Sequence, residues 1–342
     1  WAIWPGKSPR TRLLTRRHAH GSQRLGFKHA KHWMDEMSQN LEAMARRTTS
    51  MQGIRSVVHT MKTLSVINAA PYEQAARAID AYHDTVLKGL HAFLSQSGPI
   101  IAATGDGAAR VVVVFGSDHG LCGNYNEALS AYVRQHLDAA KADTPATVLC
   151  VGAQMADALA DQGLDVEKTF FPPASVDGIG RLANLLTQQL DHARRDSLPH
   201  EISVSLAYFA RVDGGSQAAQ IVPLLPLDPA LVADLRAKPW VSRSLPYFSM
   251  PAAELFVSLI RGHLFASLFR AASEALVTEN AARLALMQQA EQSVDDQLEA
   301  LKSETRAMRQ SEITTELLDV IIGFEALKKG KKAKPNPDSA HD

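Results

Sequence analysis

Residues 285–308 read ALMQQAEQSVDDQLEALKSETRAM and lie inside the stretch that decides the fold. Between Pro251 and Gly330 the chain contains no proline, and glycine occurs only at Gly262 and Gly323. Ala, Leu, Glu, Gln and Arg dominate this stretch, and all of them favour helices. A single helix of this length would measure about 110 Å. Because no globular core of this size could bury such a rod, the segment needs a partner helix.

A narrow apolar stripe runs along this segment and comprises Met287, Ala290, Val294, Leu298, Leu301, Thr305 and Met308. A second stripe lies near the other end of the chain, with spacings that alternate between three and four residues: Met34, Met37, Leu41, Met44, Thr48 and Met51, continued by Val58 and Met61. Both patterns are typical of helices that pair along a heptad seam. We therefore predict that helices over 34–98 and 251–327 form an intramolecular antiparallel coiled coil. The alternative is an ordinary helical bundle, but the loops that a bundle needs are absent.

The N-terminal helix has two weak points and a defined end. Gly53 lowers its helix propensity, and Pro71 lacks a backbone N–H, so we expect Pro71 to bend the helix or to loosen a turn. Gly98 and Pro99 end the helical pattern.

Residues 108–230, between the two helices, have a different composition. The run Val111-Val112-Val113-Val114-Phe115 is typical of a buried strand. Strands and helices then alternate, with further strands over 147–151, 166–171, 202–211 and 220–225, and helices over 126–140, 153–162 and 177–195. This order predicts a Rossmann-like α/β domain with a mostly parallel sheet, inserted between the two halves of the coil. Residues 231–250 are expected to form a connector.

The formal net charge of zero hides a segregation of charge. Residues 1–33 carry eight basic side chains and no acidic one, and the last fifteen residues contain five lysines and two acids. The remaining residues, 34–327, contain 23 basic and 34 acidic side chains and carry a net charge of −11. An acidic central region argues against nucleic acid as a partner. We expect both 1–33, which resembles a transit peptide or an upstream extension, and the Lys-rich tail 328–342 to be disordered.

Other composition features exclude further classes. Cys122 and Cys150 are too few for a disulfide framework and have no metal-ligand spacing, which favours a reducing compartment. The most apolar stretch, 255–269, is interrupted by Arg261 and His263, so we predict no membrane span. The histidines of the basic extension have no acidic or Cys partner, and we expect no metal site there.

The loop from Gly116 to Asn124 follows the first strand and precedes a helix, where α/β proteins bind phosphate. Its glycines are spaced four and three residues apart, unlike GxGxxG, and no Walker lysine follows. Ser117, Asp118, His119 and Cys122 invite comparison with a hydrolase, yet adjacent residues in one loop do not face one another as a triad requires. The sequence therefore predicts no catalytic residue, cofactor or metal in this chain.

Four segments of the chain resemble one family. The stretch Ser117-Asp118-His119-Gly120-Leu121-Cys122-Gly123-Asn124-Tyr125-Asn126 closely resembles the signature loop of the gamma subunit of F-type ATP synthases. The segment 308–319, MRQSEITTELLD, is similar to the C-terminal signature of that family. The segments 279–287 and 220–227 match as well, as do Met61, Lys62 and Tyr82. The resemblance covers residues 40 to 327, in order and at the right separations.

The resemblance implies a rotor subunit without a catalytic site of its own. Gamma subunits have a coiled-coil axle that turns within a hexamer of alpha and beta subunits, and a foot that meets epsilon and the membrane c-ring. It implies alpha and beta sleeve contacts at Met61, Lys62, Arg309, Gln310, Thr314 and Glu316, and foot contacts at Tyr247, Phe248, Ser249 and Met250. The signature loop supplies Asp118, Gly120, Leu121, Cys122 and Gly123. We expect a peripheral position on the cytoplasmic face of a bacterial plasma membrane, with the mitochondrial matrix as the alternative.

This chain departs from the family pattern at several positions. His119 replaces the usual Arg or Lys, no acidic residue accompanies Tyr247, and the N-terminal helix lacks the dense Lys/Arg pattern of typical gamma chains. These departures resemble the divergent second-operon bacterial variant, which is proposed to move sodium instead of protons. The rival function is a coiled-coil scaffold or tether with an α/β interaction domain. Without the resemblance, Arg309, Gln310, Thr314 and Glu316 would be assigned to a solvated helix face.

Overall fold

The computed structural model describes residues 18–96, 109–139, 146–196, 202–212, 216–240, 242–244 and 247–332. Two long helices, α1 (His18–Gln96) and α6 (Ala252–Lys332), precede and follow a five-stranded α/β domain along the chain. The fold class expected from the sequence is therefore confirmed. The prediction that 1–17 and 333–342 are disordered falls outside the described residues.

Both long helices extend further than the sequence predicted. Helix α1 begins at His18, so residues 18–33 of the basic extension have helical backbone instead of being disordered. Helix α6 continues to Lys332, five residues beyond the predicted end at Leu327. Extending an existing helix adds one hydrogen bond for each residue that is fixed, so a helix can grow into a segment that has no core to bury. Helix α1 also continues without interruption through Pro71, where the sequence predicts a bend or a loosened turn.

The chain divides into two compact units. The first consists of the chain up to Val57 and from Glu291 onward. In this unit, Met44 of α1 and Val294 and Leu298 of α6 are buried, as the seam pattern predicted. An ion pair joins the helices at Arg55 Nε and Asp295 Oδ1, which lie 2.5 Å apart.

The second unit, Val58–Ala290, contains the sheet. Its strands are β1 (Ala109–Phe115), β2 (Ala146–Val151), β3 (Val166–Phe170), β4 (Ile202–Arg211) and β5 (Gln217–Leu225). They lie in the order β3-β2-β1-β4-β5, with β1 to β4 parallel and β5 antiparallel to β4. The helices of this unit are α2 (Tyr125–Ala139), α3 (Ala153–Asp161), α4 (Ile179–Asp196), which a 3₁₀ turn precedes, and α5 (Pro229–Ala237).

Apolar cores cover both faces of the sheet. On one face, Val111, Val113 and Phe115 pack with residues of α4 and with Leu264 to Val277 of α6. On the other face, Val112 and Val114 pack with residues of α2 and α3. Because β1 is buried on both faces, it reads as the continuous apolar run that parallel strands require. This packing joins the α/β domain to the part of α6 within the same unit.

In the second unit, α1 and α6 run antiparallel. Arg270 Nε lies 3.5 Å from Asp80 Oδ1, and His263 Nδ1 lies 3.0 Å from His83 Nε2. Increasing residue numbers on α1 thus meet decreasing numbers on α6. This is the pairing direction that the sequence predicted.

Helix α5, at the start of the expected connector, was not predicted from the sequence. Asp228 caps it by accepting a hydrogen bond from the Ala230 backbone N–H at 2.8 Å, and Pro229 occupies the first helical turn. An Asp followed by Pro is a recognisable helix start, so the signal was present. Leu235 of this helix packs with Leu90 and Leu94 of α1.

Candidate functional site

The loop between β1 and α2 is held from within by buried polar contacts. Asn126 Oδ1 accepts a hydrogen bond from the Ser117 backbone N–H at 2.9 Å, and Asn126 Nδ2 donates to Ser117 Oγ at 2.8 Å. The Cys122 thiol donates to the same hydroxyl at 3.4 Å. Burial raises the pKa of the Cys122 thiol, which therefore stays protonated at neutral pH. These contacts make Ser117 and Cys122 part of the loop framework.

The acid and base candidates of this loop have separate positions. Asp118 Oδ1 accepts a hydrogen bond from the Ala153 backbone N–H at the start of α3, at 3.1 Å. His119 is exposed and lies 3.5 Å from Asp118. The Ser117 hydroxyl is bonded to Asn126 and Cys122 instead of to the imidazole. Covalent catalysis requires a nucleophile next to a base, and these side chains are not arranged in that way.

The tip of the loop presents an apolar side chain to solvent. Leu121 has φ of 57°, between Gly120 and Gly123 with φ of 24° and 69°. A left-handed conformation costs a residue with a side chain about 1 kcal/mol. Leu121 is nevertheless 54% exposed, so burial of its side chain does not offset this cost. Strain of this kind in an ordered loop is a reason to look for a function.

Two contacts attach the loop and the start of α2 to α6. The Tyr125 hydroxyl donates to the Ala275 carbonyl at 3.1 Å and lies 3.0 Å from Thr278 Oγ1. Arg283 Nη2 donates to the Gly120 carbonyl at 3.3 Å. The same nitrogen pairs with Glu279 Oε1, one helical turn earlier.

Glu279 and Arg283 form a buried ion pair, with side chains 9% and 10% exposed. Burial raises the pKa of the Glu279 carboxyl and outweighs the opposing attraction of Arg283. Arg283 Nε is buried and has no hydrogen-bond partner among the described residues. Both residues lie in a segment that carries the family resemblance, but neither was predicted from the sequence as a site residue. Their i, i+4 spacing on a helix was the available signal.

The predicted sleeve residues lie on both long helices. Met61 and Lys62 of α1 are half-buried in the second unit. Arg309, Gln310, Thr314 and Glu316 of α6 are exposed in the first unit. Thr314 Oγ1 donates to the Gln310 carbonyl within its own helix. Whether these residues contact another subunit stays a prediction.

The end of α6 carries an exposed apolar surface that was not among the predicted site residues. It consists of Ile313, Leu317, Leu318, Val320, Ile321, Ile322 and Phe324, which we call the α6 tip. Each of these side chains is more than half exposed, and Phe324 is 72% exposed. Because successive residues turn by about 100°, they cover more than half of the helix circumference. A contiguous apolar surface of this kind indicates a binding site.

The predicted foot residues lie at the start of the segment that leads into α6. Tyr247 is 91% exposed, and Ser249 and Met250 are exposed as well. Phe248 is half-buried, with its ring 6.0 Å from that of Phe93 in α1. One aromatic side chain thus anchors the segment while its neighbours face solvent.

One segment of α6 has the composition of a membrane span. Helix α6 contains an 18-residue window with a mean hydropathy of 1.4, of which 22% is buried. By length and composition alone it resembles a membrane span, against the expectation from the sequence. Within α6, however, Arg261 pairs with Asp191 at 3.1 Å and His263 is buried against His83. In the described part of the chain, no three His, Cys, Asp or Glu side chains are grouped so that they could hold a metal ion.

Comparison with known proteins places these features in one family. The ATP synthase family model matches residues 40–327. The ATP synthase gamma chain of Allorhizobium ampelinum is 25% identical over 300 residues, and the match covers 84% of this chain and 99% of the relative. The gamma chain of Granulibacter bethesdensis is 27% identical over 301 residues, and that of Lachnoclostridium phytofermentans is 28% identical over 295, with the same coverage.

Two solved structures share the fold. A chain of the Euglena gracilis mitochondrial ATP synthase rotor, in rotational state 1, aligns with a TM-score of 0.54 and 15% identity, over 81% of this chain and 99% of that one. A chain of the OSCP/F1/c-ring assembly of the same enzyme, in rotational state 3, aligns with a TM-score of 0.57 and 17% identity, over 89% of this chain and all of that one.

Proposed function

The chain belongs to the ATP synthase family in its gamma form, and from that premise we propose how it works as the central-stalk rotor of an F-type ATP synthase. The paired parts of α1 and α6 form the axle, which turns inside a ring of alpha and beta subunits. The α/β domain and the segment around Tyr247 form the foot, which meets epsilon and the c-ring. Rotation couples ion flow through the c-ring to ATP synthesis or hydrolysis in the ring of alpha and beta.

The α6 tip is the observation that carries the proposal. A partner that offered a single groove would cover one side of a helix, whereas the apolar residues of the tip cover more than half of its circumference. A sleeve that surrounds the helix fits this surface. Apolar contacts are also non-directional, so they hold the shaft in place without fixing one rotational position.

Arg309, Gln310, Thr314 and Glu316 lie just before and within the start of the tip and would make the polar contacts to the sleeve. Met61 and Lys62 would make the corresponding contacts from α1. We propose that these polar contacts are few, because a ring that bound one orientation of the shaft much more tightly would stop rotation there.

The proposed position is peripheral to a membrane, at the cytoplasmic face of a bacterial plasma membrane. Support comes from the three gamma chains described above, which are bacterial. The rotor and c-ring assemblies named for the two Euglena structures support a foot that rests on a c-ring. Measuring how ATP synthesis by the whole complex depends on protons and on sodium would identify the coupling ion.

The test is affinity purification of the tagged full-length chain from its own cells, followed by an ATPase assay. We expect alpha and beta polypeptides and ATPase activity to be recovered with it. A chain that functions as a tether or scaffold would be recovered without nucleotide-binding subunits, and that result would refute the proposal.

A matched pair of variants tests the role of the tip. Phe324→Asp places a charge in the proposed sleeve. We expect it to lower the torque while alpha and beta still assemble with the chain, because it disrupts the apolar contacts of the tip and leaves the other contacts in place. Tyr132→Asp changes an exposed aromatic residue on α2 and serves as control. Equal torque in the two variants would contradict the assignment of the tip.

A further inference from the structure

The strained loop tip and the buried ion pair of α6 meet at one atom. The Gly120 carbonyl, next to Leu121, accepts the hydrogen bond of Arg283 Nη2. Arg283 is in turn paired with Glu279. We call Glu279, Arg283 and the Gly120 carbonyl the loop latch.

The latch is poorly explained as a device for stability alone. Removing two charges from water is expensive, and buried ion pairs are often no better for stability than apolar residues of similar volume. Here the burial cost is incompletely offset, since Arg283 Nε has no partner among the described residues and the pKa of Glu279 is raised. The ion pair does, however, fix the direction of the guanidinium that holds the loop.

The loop has a second attachment at its other end. Asp118 is bonded to the Ala153 backbone N–H, and the Ser117 carbonyl accepts from the Met155 backbone N–H at 3.3 Å. These contacts attach residues 117–118 to α3, within the α/β domain. The latch attaches residue 120 to α6. The tip at Leu121 therefore lies directly after a link between the domain and the long helix.

We propose that Glu279 and Arg283 are positioning residues that lock the loop onto α6, so that Leu121 is held outward in one orientation and the loop and α6 move as one body. Leu121 then serves as a fixed contact point on the rotor surface. A force on the loop passes through Arg283 to α6 instead of being lost in loop motion. The functional part of this inference rests on the proposed rotor function, but the latch itself is tested on the chain alone.

The two cysteines of the chain report directly on the latch. Cys122 lies in the loop and is buried, whereas Cys150 is buried in the sheet on β2, between β1 and β3. A thiol reagent reaches Cys122 when the loop opens and reaches Cys150 only when the sheet opens. The double variant E279Q/R283M removes both charges at once, so no unpaired buried charge remains to unfold the protein.

We expect native-state maleimide labelling of Cys122 to become about tenfold faster in E279Q/R283M, the change that loss of one charged hydrogen bond would give. Labelling of Cys150 should stay at the wild-type rate. The control E299Q/R306M removes an exposed ion pair of the same residue types from α6 and should leave both rates unchanged. The conservative variant R283K, which keeps the charge beside Glu279, should restore part of the Cys122 protection.

Four results would overturn the proposal. Unchanged labelling of Cys122 would mean that other contacts hold the loop. An equal increase at Cys122 and Cys150, or failure of the double variant to fold, would mean that the pair stabilises the whole domain. An R283K variant as open as the double variant would mean that the charge beside Glu279 does not position the loop.

The functional arm uses the assembled complex. With E279Q/R283M we expect the number of ions pumped per ATP hydrolysed to fall roughly twofold or more while alpha and beta still copurify. An unchanged ratio would refute force transmission through the latch. Absence of alpha and beta from the wild-type preparation would instead refute the rotor function, and the labelling result would stand apart from it.

Discussion

The hydroxyl of Tyr125 lies 3.0 Å from that of Thr278, in a buried contact between the start of α2 and the middle of α6. The Tyr125 hydroxyl also donates to the Ala275 carbonyl at 3.1 Å. Burial raises the pKa of Tyr125, so the phenol stays protonated and remains a donor. These two residues join the signature loop region to the long helix independently of Arg283.

Tyr125→Phe should lower the free energy of unfolding by about 1 kcal/mol, because it removes one buried hydrogen bond and keeps the ring. The ring contact with Phe209, at 4.7 Å between centroids, should persist. Urea unfolding measures the difference. Tyr132→Phe, on the exposed side of the same helix, is the control and should fall within about 0.5 kcal/mol of wild type. Equal effects of the two substitutions would contradict the structural role of the Tyr125 hydroxyl.

Gly152 and Gly163 form a matched pair for a test of backbone constraint around the loop. Both have positive φ, 106° and 69°, but a Cβ at Gly152 would lie 2.5 Å from the Ser117 carbonyl oxygen, whereas nothing lies within 4 Å of a Cβ at Gly163. Gly163→Ala should cost about 1 kcal/mol through φ alone. Gly152→Ala should cost more than about 3 kcal/mol, because the Ser117 backbone would have to move. Thermal unfolding compares them, and a smaller loss at Gly152 would contradict the close packing of loop and β2.

His263 should make stability fall with acidification. Burial and the neighbouring His83 lower the pKa of His263 to about 4, whereas histidine in an unfolded chain titrates near 6.5. Between these values the unfolded chain binds a proton that the folded chain does not, so the free energy of unfolding decreases as the pH falls from about 6.5 to about 4. From pH 7.5 to 5 the loss from this residue should be about 2 kcal/mol.

His263→Asn should remove about that part of the pH dependence, since an amide does not titrate in this range. Asp80, Asp84 and Arg270 also influence the paired His83, and they remain in the variant. The measurement is urea unfolding at the two pH values. His192→Asn, at an exposed position on α4, is the control. A pH dependence that is the same in His263→Asn and wild type would refute the assignment.

The long helices and the sheet could be predicted from local sequence because their signals are periodic or continuous. The seam residues Val294 and Leu298 are buried as predicted, and the run from Val111 to Phe115 is the buried strand β1. The start of α1 at His18 was missed because residues 18–33 carry no apolar seam, and helix propagation needs none.

The contacts around the loop could not be predicted because they join residues far apart in the chain. Arg283 and Gly120 are separated by 163 positions, and Tyr125 and Thr278 by 153. The family resemblance includes both the loop with Gly120 and the segment with Arg283. Only the folded structure shows that Arg283 contacts the Gly120 carbonyl. The apolar α6 tip was readable from the sequence, since residues 317–324 are mostly Leu, Val, Ile and Phe; only its exposure required the structure.

Rotation itself is the central claim, and single-particle rotation of the assembled complex tests it most directly. Asp161→Cys provides an exposed attachment point at the end of α3 for a bead, because both natural cysteines are buried. With alpha and beta fixed to the surface, we predict that ATP drives the bead in one direction with three stopping positions per turn. A bead that stays still while the same complexes hydrolyse ATP would contradict the account.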